Sequence, residues 1–387
     1  MPMNSTLRSS YRDRPSRFNS VSEKTWSSWH WQHQHRLRTR HDFDGVLYLN
    51  ECERRAFEDG ADRFRVAVTP HYAALMDTDN IRCPIRRQAL PHPDELQDYP
   101  FERSDPLAEE EHMPVAGLTH RYPDRALLYV THHCPMYCRH CTRKRKVSNP
   151  DTAASKAQLQ RGIDYIADTP EIHDVILSGG DPLTLSDRRL DEILGRLRNI
   201  DHVAVIRLGT RNPVTLPQRI TPGLANILDH HRPIYVNTHF NHPAELCKES
   251  VQALERLVDA GCILGNQMVL LRGVNDNADT VMTLNRMLLR HGCRPYYILQ
   301  CDMARGITHF RTPLKKGLEI MDHLRGRIGG VGVPDFVVDL PGGGGKVELL
   351  PEYIVDRRPS EHGEMVTFRN FQGEEFEFVD IDDDIGC

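Results

Sequence analysis

From residue 126 onward the chain alternates between short apolar runs and longer amphipathic stretches. The runs at 126–130, 175–177, 203–208, 234–236, 268–271, 296–299 and 336–338 have the length of buried strands. Between them Leu159/Ile163/Ile166, Leu190/Ile193/Leu194/Leu197, Leu224/Ile227/Leu228, Val251/Leu254/Leu257/Val258 and Val281/Leu284/Leu288 recur at helical spacing. Strand–helix alternation of this kind predicts an α/β fold with a parallel sheet covered by helices. Its pitch does not separate a barrel from a doubly wound sheet, but the polar residues do. Chemistry-capable side chains follow nearly every run: His132-His133-Cys134, Ser178-Gly179-Gly180-Asp181, Thr210-Arg211, Asn237 to His242, Cys301-Asp302 and Asp339. A barrel gathers such residues from many strand ends, whereas a doubly wound sheet concentrates them at one switch point. A full or partial (β/α) barrel is therefore predicted.

The flanks read differently. Residues 1–115 are predicted to form an irregular, mostly helical region, with 47–76 helical and 84–114 rich in Pro and acids. Trp26, Trp29 and Trp31 crowd into one short segment, a density suited to anchoring an arm on a core or a neighbouring subunit. Residues 116–350 make the barrel core and 351–387 a C-terminal extension. Its last part, 371–387, holds seven acids and no base, and is predicted to end in a loose tail.

Composition narrows the class. A length of 387 residues exceeds one average domain but suits a barrel with an added arm. With 39% apolar and 27% charged residues the chain can build a core, which excludes wholesale disorder. No run of eighteen apolar residues predicts a membrane span. The net charge of −5 gives no general attraction to nucleic acid or anionic lipid. Arg8, Arg12, Arg14 and Arg17 near the start suit an exposed arm better than a transit peptide. Seven cysteines (52, 83, 247, 262, 293, 301 and 387) are scattered, while Cys134, Cys138 and Cys141 crowd together. That is no disulfide scaffold. Without an apolar leader the expected compartment is the reducing cytoplasm, where clustered thiols usually serve metal or redox chemistry.

Three thiolates in Cys134-Pro-Met-Tyr-Cys138-Arg-His-Cys141 can hold three corners of an iron–sulfur cube and leave one iron open to a chelating molecule. The alternative is zinc, completed by His140 or His133, although structural zinc usually uses two separated pairs. Pro341-Gly-Gly-Gly-Gly-Lys346 offers backbone N–H groups to an anion and room for a flat ligand. It is not a phosphate-binding P-loop, because Lys346 precedes Val347 rather than Ser or Thr. Taken alone, Gly179-Gly180-Asp181 reads as a strand-end turn, and Arg143-Lys144-Arg145-Lys146 as a solvated basic patch. Asp302 and Asp339 alone read as strand-end caps or ion-pair partners.

Together these motifs resemble a known family. The cysteine loop after a first strand is similar to that of radical S-adenosylmethionine enzymes. The stretch Tyr137-Cys-Arg-His-Cys-Thr-Arg143 looks specifically like the lysine 2,3-aminomutase family. The likeness continues through Leu177-Ser-Gly-Gly-Asp181, Asn237-Thr-His-Phe-Asn-His-Pro243, His309-Phe-Arg-Thr-Pro313 and Asp339-Leu-Pro-Gly-Gly-Gly-Gly-Lys346, over roughly residues 25 to 372.

The resemblance implies a radical-SAM type partial (β/α) barrel and a [4Fe–4S] cluster on Cys134, Cys138 and Cys141. S-adenosylmethionine would chelate the open iron, with Ser178, Gly179, Gly180 and Asp181 at its methionine amino group and His239 and Gln267 at its adenosine part. Lys346 would bind pyridoxal 5′-phosphate as a Schiff base, with Arg121 and Arg125 at the phosphate. Arg143 would take the α-carboxylate of an amino acid substrate, and Asp302 and Asp339 its ε-ammonium. The implied reaction is isomerisation of L-lysine to L-β-lysine, initiated by a 5′-deoxyadenosyl radical. Also implied are an electron donor such as flavodoxin or ferredoxin, and a homo-oligomer. A sibling acting on arginine would keep the same acids, a glutamate-specific sibling, the less favoured alternative, would carry neutral or basic residues at the positions of Asp302 and Asp339, and a redox-sensing metal protein is the non-enzyme alternative. In zinc-bearing members a cysteine follows Gly-Val-Asn-Asp, with more near the C-terminus. Here Asn277 follows Asp276 and only Cys387 remains, so a structural zinc is not expected.

Overall fold

A computed structural model describes residues 14–60, 63–147, 155–361 and 363–381. The first arginines of the arm, Arg8 and Arg12, lie outside the described residues, as does Cys387.

Nine strands form one sheet in strict chain order. They are β1 (Leu118–Tyr122), β2 (Arg125–Thr131), β3 (Asp174–Gly179), β4 (Val205–Gly209), β5 (Ile234–Thr238), β6 (Ile263–Leu270), β7 (Cys293–Gln300), β8 (Asp335–Leu340) and β9 (Gly345–Glu348). From β2 to β8 every pairing is parallel, while β1 and β9 turn back antiparallel at the two edges. Helices Lys156–Ala167, Asp187–Arg198, Pro222–His230, Lys248–Asp259, Ala278–Arg290 and Leu314–Leu324 connect the parallel strands. Sequential parallel strands with crossover helices curl into a barrel. The edges are brought together by side chains: the Lys346 backbone N–H donates to the Tyr122 hydroxyl at 2.9 Å, and Arg121 pairs with Asp339 at 3.2 Å. The structure is thus a partial, nearly closed barrel, as predicted.

Each predicted apolar run falls on a strand. The β6 strand begins earlier than its predicted span of 268–271, because Ile263, Gly265 and Gln267 alternate with buried Leu264, Asn266 and Met268 and present no continuous apolar run. The helix cores are the predicted residues. Leu190, Ile193, Leu194 and Leu197, for example, are fully buried, and that helix starts at Ser186, whose side chain accepts from the Arg189 N–H.

The N-terminal region packs onto the barrel in short pieces. The predicted helical span 47–76 divides into Glu51–Asp59 and Pro70–Ala74. Gly60 ends the first, and Thr69 caps the second ahead of Pro70. Trp26 is buried against Phe18 and Trp31, and Trp29 lies 4.8 Å over the Arg219 guanidinium, so the tryptophans anchor the arm to this chain's own core.

At the other end, β10 (Ile354–Ser360), β11 (Gly363–Arg369) and β12 (Glu375–Ile381) form an antiparallel sheet. Within the predicted acidic tail Glu375–Ile381 is therefore a strand, and the end expected to be loose, 382–387, lies outside the described residues. The strand's acids meet bases on the other two strands: Glu377 pairs with Arg358 of β10, and Glu375 with Arg369 of β11 at 3.2 Å. A window read along the sequence cannot see those partners.

Candidate active site

The cysteine loop leaves the C-terminal end of β2 and is tied down before any ligand is considered. The Tyr137 N–H donates to the Ala67 carbonyl and the Arg139 N–H to the Gln88 carbonyl, each at 2.9 Å. Arg139 and Lys144 both grip buried Glu95, with Lys144 at 3.0 Å. Burial works to raise the Glu95 carboxyl, but these two cations bring it to about 2. Lys144 also donates to the Gly306 carbonyl at 2.9 Å. The basic run is therefore not a solvated patch. Arg145 pairs with Asp105 at 2.9 Å and Lys146 with Glu110 at 3.3 Å, so the acid-rich stretch of the N-terminal region is its counter-face.

Within this frame the three thiols stand close enough to disturb one another. Burial pushes Cys141 up to about 11 and Cys134 well above its usual range, with neighbouring cysteines contributing to both shifts. Arg211 Nη1 donates to Cys138 Sγ at 2.9 Å, and the Arg143 N–H to Cys141 Sγ at 3.4 Å. No three His, Cys, Asp or Glu side chains among the described residues are placed to share a single metal ion. A [4Fe–4S] cube does not ask for that, since each thiolate caps a different iron. Crowded thiols facing cationic donors fit such a cluster.

Arg211 is held by a fully buried network. Its Nη2 reaches Gln88 Oε1 at 2.5 Å and Glu245 Oε1 at 2.7 Å, and the Tyr72 hydroxyl donates to Glu245 at 2.8 Å. The backbone N–H groups of Asn241 and His242 donate to the other Glu245 oxygen at 2.6 and 3.1 Å. The loop after β5 is thereby locked to the residue that touches Cys138. His239 on that loop bonds the Gln267 backbone, which brings these two predicted contacts together, and burial lowers its ring to about 4.

The Ser178-Gly179-Gly180-Asp181 turn abuts the cysteine loop. A Cβ on Gly180 would stand 2.3 Å from the His133 carbonyl oxygen, so only glycine fits there. The Gly180 N–H donates to the Thr131 carbonyl at 2.6 Å. Asp181 accepts from the Thr210 hydroxyl at 2.7 Å and the Arg211 N–H at 2.8 Å. Its carboxylate thus braces the β4 end of the site. Ser178 Oγ instead accepts from Arg143 Nη1 at 3.1 Å.

A second group of charges gathers at the ends of β7, β8 and β9. Lys346 stands opposite Asp339 in the β8–β9 pairing, and its Nζ lies 2.7 Å from Asp339 Oδ2. Arg121 takes the other Asp339 oxygen. Burial, and after it the Asp339 charge, pushes the Asp302 carboxyl up to about 7, while Lys346, Arg311 and Arg121 oppose the shift. Gly342, Gly343 and Gly345 all have positive φ, and a Cβ on Gly343 would stand 2.5 Å from the His112 ring. This open, cation-flanked turn beside a lysine fits a flat anionic cofactor such as pyridoxal phosphate. Arg125 stands apart from this group, half-buried, 4.0 Å over the Tyr122 ring and beside Asp124.

Glu109 was not anticipated from the sequence. It takes the side edge of the Arg143 guanidinium, with Nε at 2.9 Å and Nη2 at 2.5 Å from the same oxygen. Its carboxyl lies below its ordinary value because Arg143 outweighs the burial that would raise it. Nothing in its acid- and proline-rich neighbourhood distinguishes Glu109 from Glu110 or Glu111. Glu245 was also missed, although it sits just past the Asn237-to-Pro243 motif.

Comparison with known proteins adds to this geometry. Residues 128–284 match the Radical SAM superfamily, and residues 321–383 match a family described as Lysine-2,3-aminomutase. A protein of Fusobacterium nucleatum named L-lysine 2,3-aminomutase is 48% identical over 356 residues, covering 92% of this chain and 83% of that one. One of the same name from Clostridium subterminale is 46% identical, covering 92% and 85%. A glutamate 2,3-aminomutase of Clostridioides difficile is 42% identical, covering 93% and 84%.

Proposed function

The chain belongs to the lysine 2,3-aminomutase family, and from that premise we propose that it isomerises L-lysine to L-β-lysine by moving the α-amino group to C3. The carrying observation is the ammonium of Lys346 seated on Asp339, with Asp302 held beside them. A desolvated ammonium is stable only where anions meet it. The Nζ of Lys346 stands in for the cationic tail of a substrate, and these two acids would repel the side-chain carboxylate of glutamate.

The cofactors carry the hard chemistry: the cluster with S-adenosylmethionine supplies hydrogen abstraction, and pyridoxal phosphate a π-system that accommodates the unpaired electron during migration. Cys134, Cys138 and Cys141 would hold the cluster. Ser178, Gly179, Gly180, Asp181, His239 and Gln267 would surround S-adenosylmethionine, Asp181 from behind through Thr210 and Arg211. Lys346 would bind the pyridoxal group, with Arg121 nearer its phosphate than Arg125. A Lys346 engaged there would no longer occupy Asp339, whose carboxylate could then meet the substrate's own ammonium. Arg143 would meet the α-carboxylate. Guanidinium and carboxylates together hold the amino acid at both ends, and this fixes which hydrogen is presented.

The reading extends to the setting. We place the enzyme in the cytoplasm, reduced by a flavodoxin- or ferredoxin-type donor and assembled as a homo-oligomer. No helix among the described residues is long and apolar enough to cross a membrane. The test is an anaerobic assay of an amino-acid panel with S-adenosylmethionine, pyridoxal phosphate and a reductant. Lysine is expected to be converted fastest. Preference for arginine would move the assignment to that sibling, and preference for glutamate would overturn the role of the two aspartates.

A further inference from the structure

A cleft of about 540 Å³ opens beside the cysteine loop, lined by Arg36, Arg38, Arg40, Arg65, His133 and Tyr137 among others. Glu58, the single acid in the lining among the described residues, is already paired with Arg40. With the histidines neutral the lining carries, among the described residues, four guanidinium charges against one carboxylate, 4 − 1 = +3, on a chain whose net charge is −5. Arg38 is exposed and makes no ion pair among the described residues. The His33 ring is lowered to about 4 by burial and then by Arg36, His133 and Arg38, so the concentrated positive field is felt behind the surface as well.

The cleft is also wired to the cysteine loop. Arg36 Nη1 donates to the Cys134 carbonyl at 2.8 Å. His133 precedes Cys134 and Tyr137 precedes Cys138, so two lining residues are direct chain neighbours of two cluster thiols. A concave, cationic surface one residue from a redox centre has the form expected where an anionic redox partner is steered into contact.

We propose that this cleft is the docking site of a small acidic one-electron carrier protein of the flavodoxin kind. The inference rests on the reading above, in which the cluster must be reduced from outside the chain. One electron leaves the reduced carrier and the cluster gains one; no bond forms or breaks in that transfer. Arg38 supplies the attraction, with Arg40 beside it, and Arg36 fixes the loop that receives the electron.

The test uses the anaerobically reconstituted holoenzyme and a purified acidic flavodoxin. Binding is measured by calorimetry at low and high salt for the wild type, Arg38→Glu, Arg38→Glu/Arg40→Glu and Arg38→Lys. The Glu variants are expected to weaken binding by about tenfold or more at low ionic strength, and Arg38→Lys to bind as the wild type does. Half-molar salt should remove the difference by screening. Flavodoxin-driven cleavage of S-adenosylmethionine should slow in parallel, whereas dithionite-driven cleavage should be unchanged, which also shows that the variants fold. Equal flavodoxin affinity in all variants, or wild-type affinity indifferent to salt, would overturn the docking site. Loss of self-association in the Glu variants with flavodoxin binding intact would assign the cleft to a second copy of this chain and would equally overturn it. If dithionite drove no cleavage in the wild type, the enzymatic reading would fail instead, and the binding measurements would still decide the cleft.

Discussion

Lysine binding should release a proton near neutral pH, and Asp302 is the reason. In the substrate-free chain burial and the neighbouring Asp339 charge bring its carboxyl to about 7. A carboxylic acid cannot pair with an ammonium, so the proton must leave before the cationic tail is held. At pH 6 only about a tenth of such a group is ionised and at pH 8 about nine tenths, so lysine affinity should rise about tenfold between them, about 1.4 kcal/mol. The sign is opposite for folding: a buried acid with a raised pKa costs more as pH climbs from the ordinary carboxylate range through 7. Affinity therefore gains while stability loses. His239, at about 4, does not titrate in this window. Calorimetry at pH 7 in buffers of differing ionisation enthalpy should give about half a proton released per lysine bound. Asp302→Asn should remove both the pH slope and the proton release, and weaken lysine binding by on the order of 2–5 kcal/mol. Norleucine, with no charge on its tail, should show neither effect. If the wild type bound lysine equally at pH 6 and 8, or if Asp302→Asn kept the slope, the assignment of Asp302 to the ammonium would be wrong.

Replacing Cys134, Cys138 or Cys141 by Ala should abolish iron–sulfur absorbance, while Cys247→Ala and Cys293→Ala should retain it. Glu109→Ala releases the side edge of Arg143 and should raise KM for every α-amino acid by about tenfold or more, about 1.5–3 kcal/mol for a buried charged hydrogen bond, with S-adenosylmethionine cleavage preserved. Glu95→Gln leaves Arg139 and Lys144 without their buried anion and should lower stability by on the order of 3–5 kcal/mol in denaturant titrations. Because the Glu95 carboxyl is depressed to about 2, that contribution is complete above its ordinary value of 4.5, and the gap to the variant should narrow as pH falls below it. Metal analysis should find iron without stoichiometric zinc: Asn277, where a thiolate would be needed, accepts the Thr280 N–H at 2.9 Å as a helix cap.

The strands β2 to β8 could be read from the sequence because each contains a short apolar run, although in β6 and β7 that run covers only the later part of the strand. The edges could not. Thr119-His120-Arg121-Tyr122 and Lys346-Val347-Glu348 carry no pattern, and they are strands only because β2 and β8 offer them a ladder. The crowding of Cys134, Cys138 and Cys141 and the glycine run before Lys346 were legible because they are local in the sequence. The long-range contacts around the site were not: Glu109 and Arg143 are separated by 34 residues, and Arg211 and Cys138 by 73. Asp181 shows the limit of a motif, since its spacing drew attention to the turn while its carboxylate serves Thr210 and Arg211.

The edge strands β1 and β9 meet through the Tyr122 hydroxyl and the Arg121–Asp339 pair rather than through a backbone ladder. A ring closed in this way has its weakest joint where the proposed pyridoxal site lies. Any ligand that engages Lys346 on one side and Arg121 on the other spans that joint, and its binding free energy becomes part of what keeps the ring shut. At a hundred times its dissociation constant a ligand that binds only the folded state adds about 2.7 kcal/mol of stability. Cofactor occupancy and heat resistance are then one property of this chain, set at the same few residues that prepare it for catalysis.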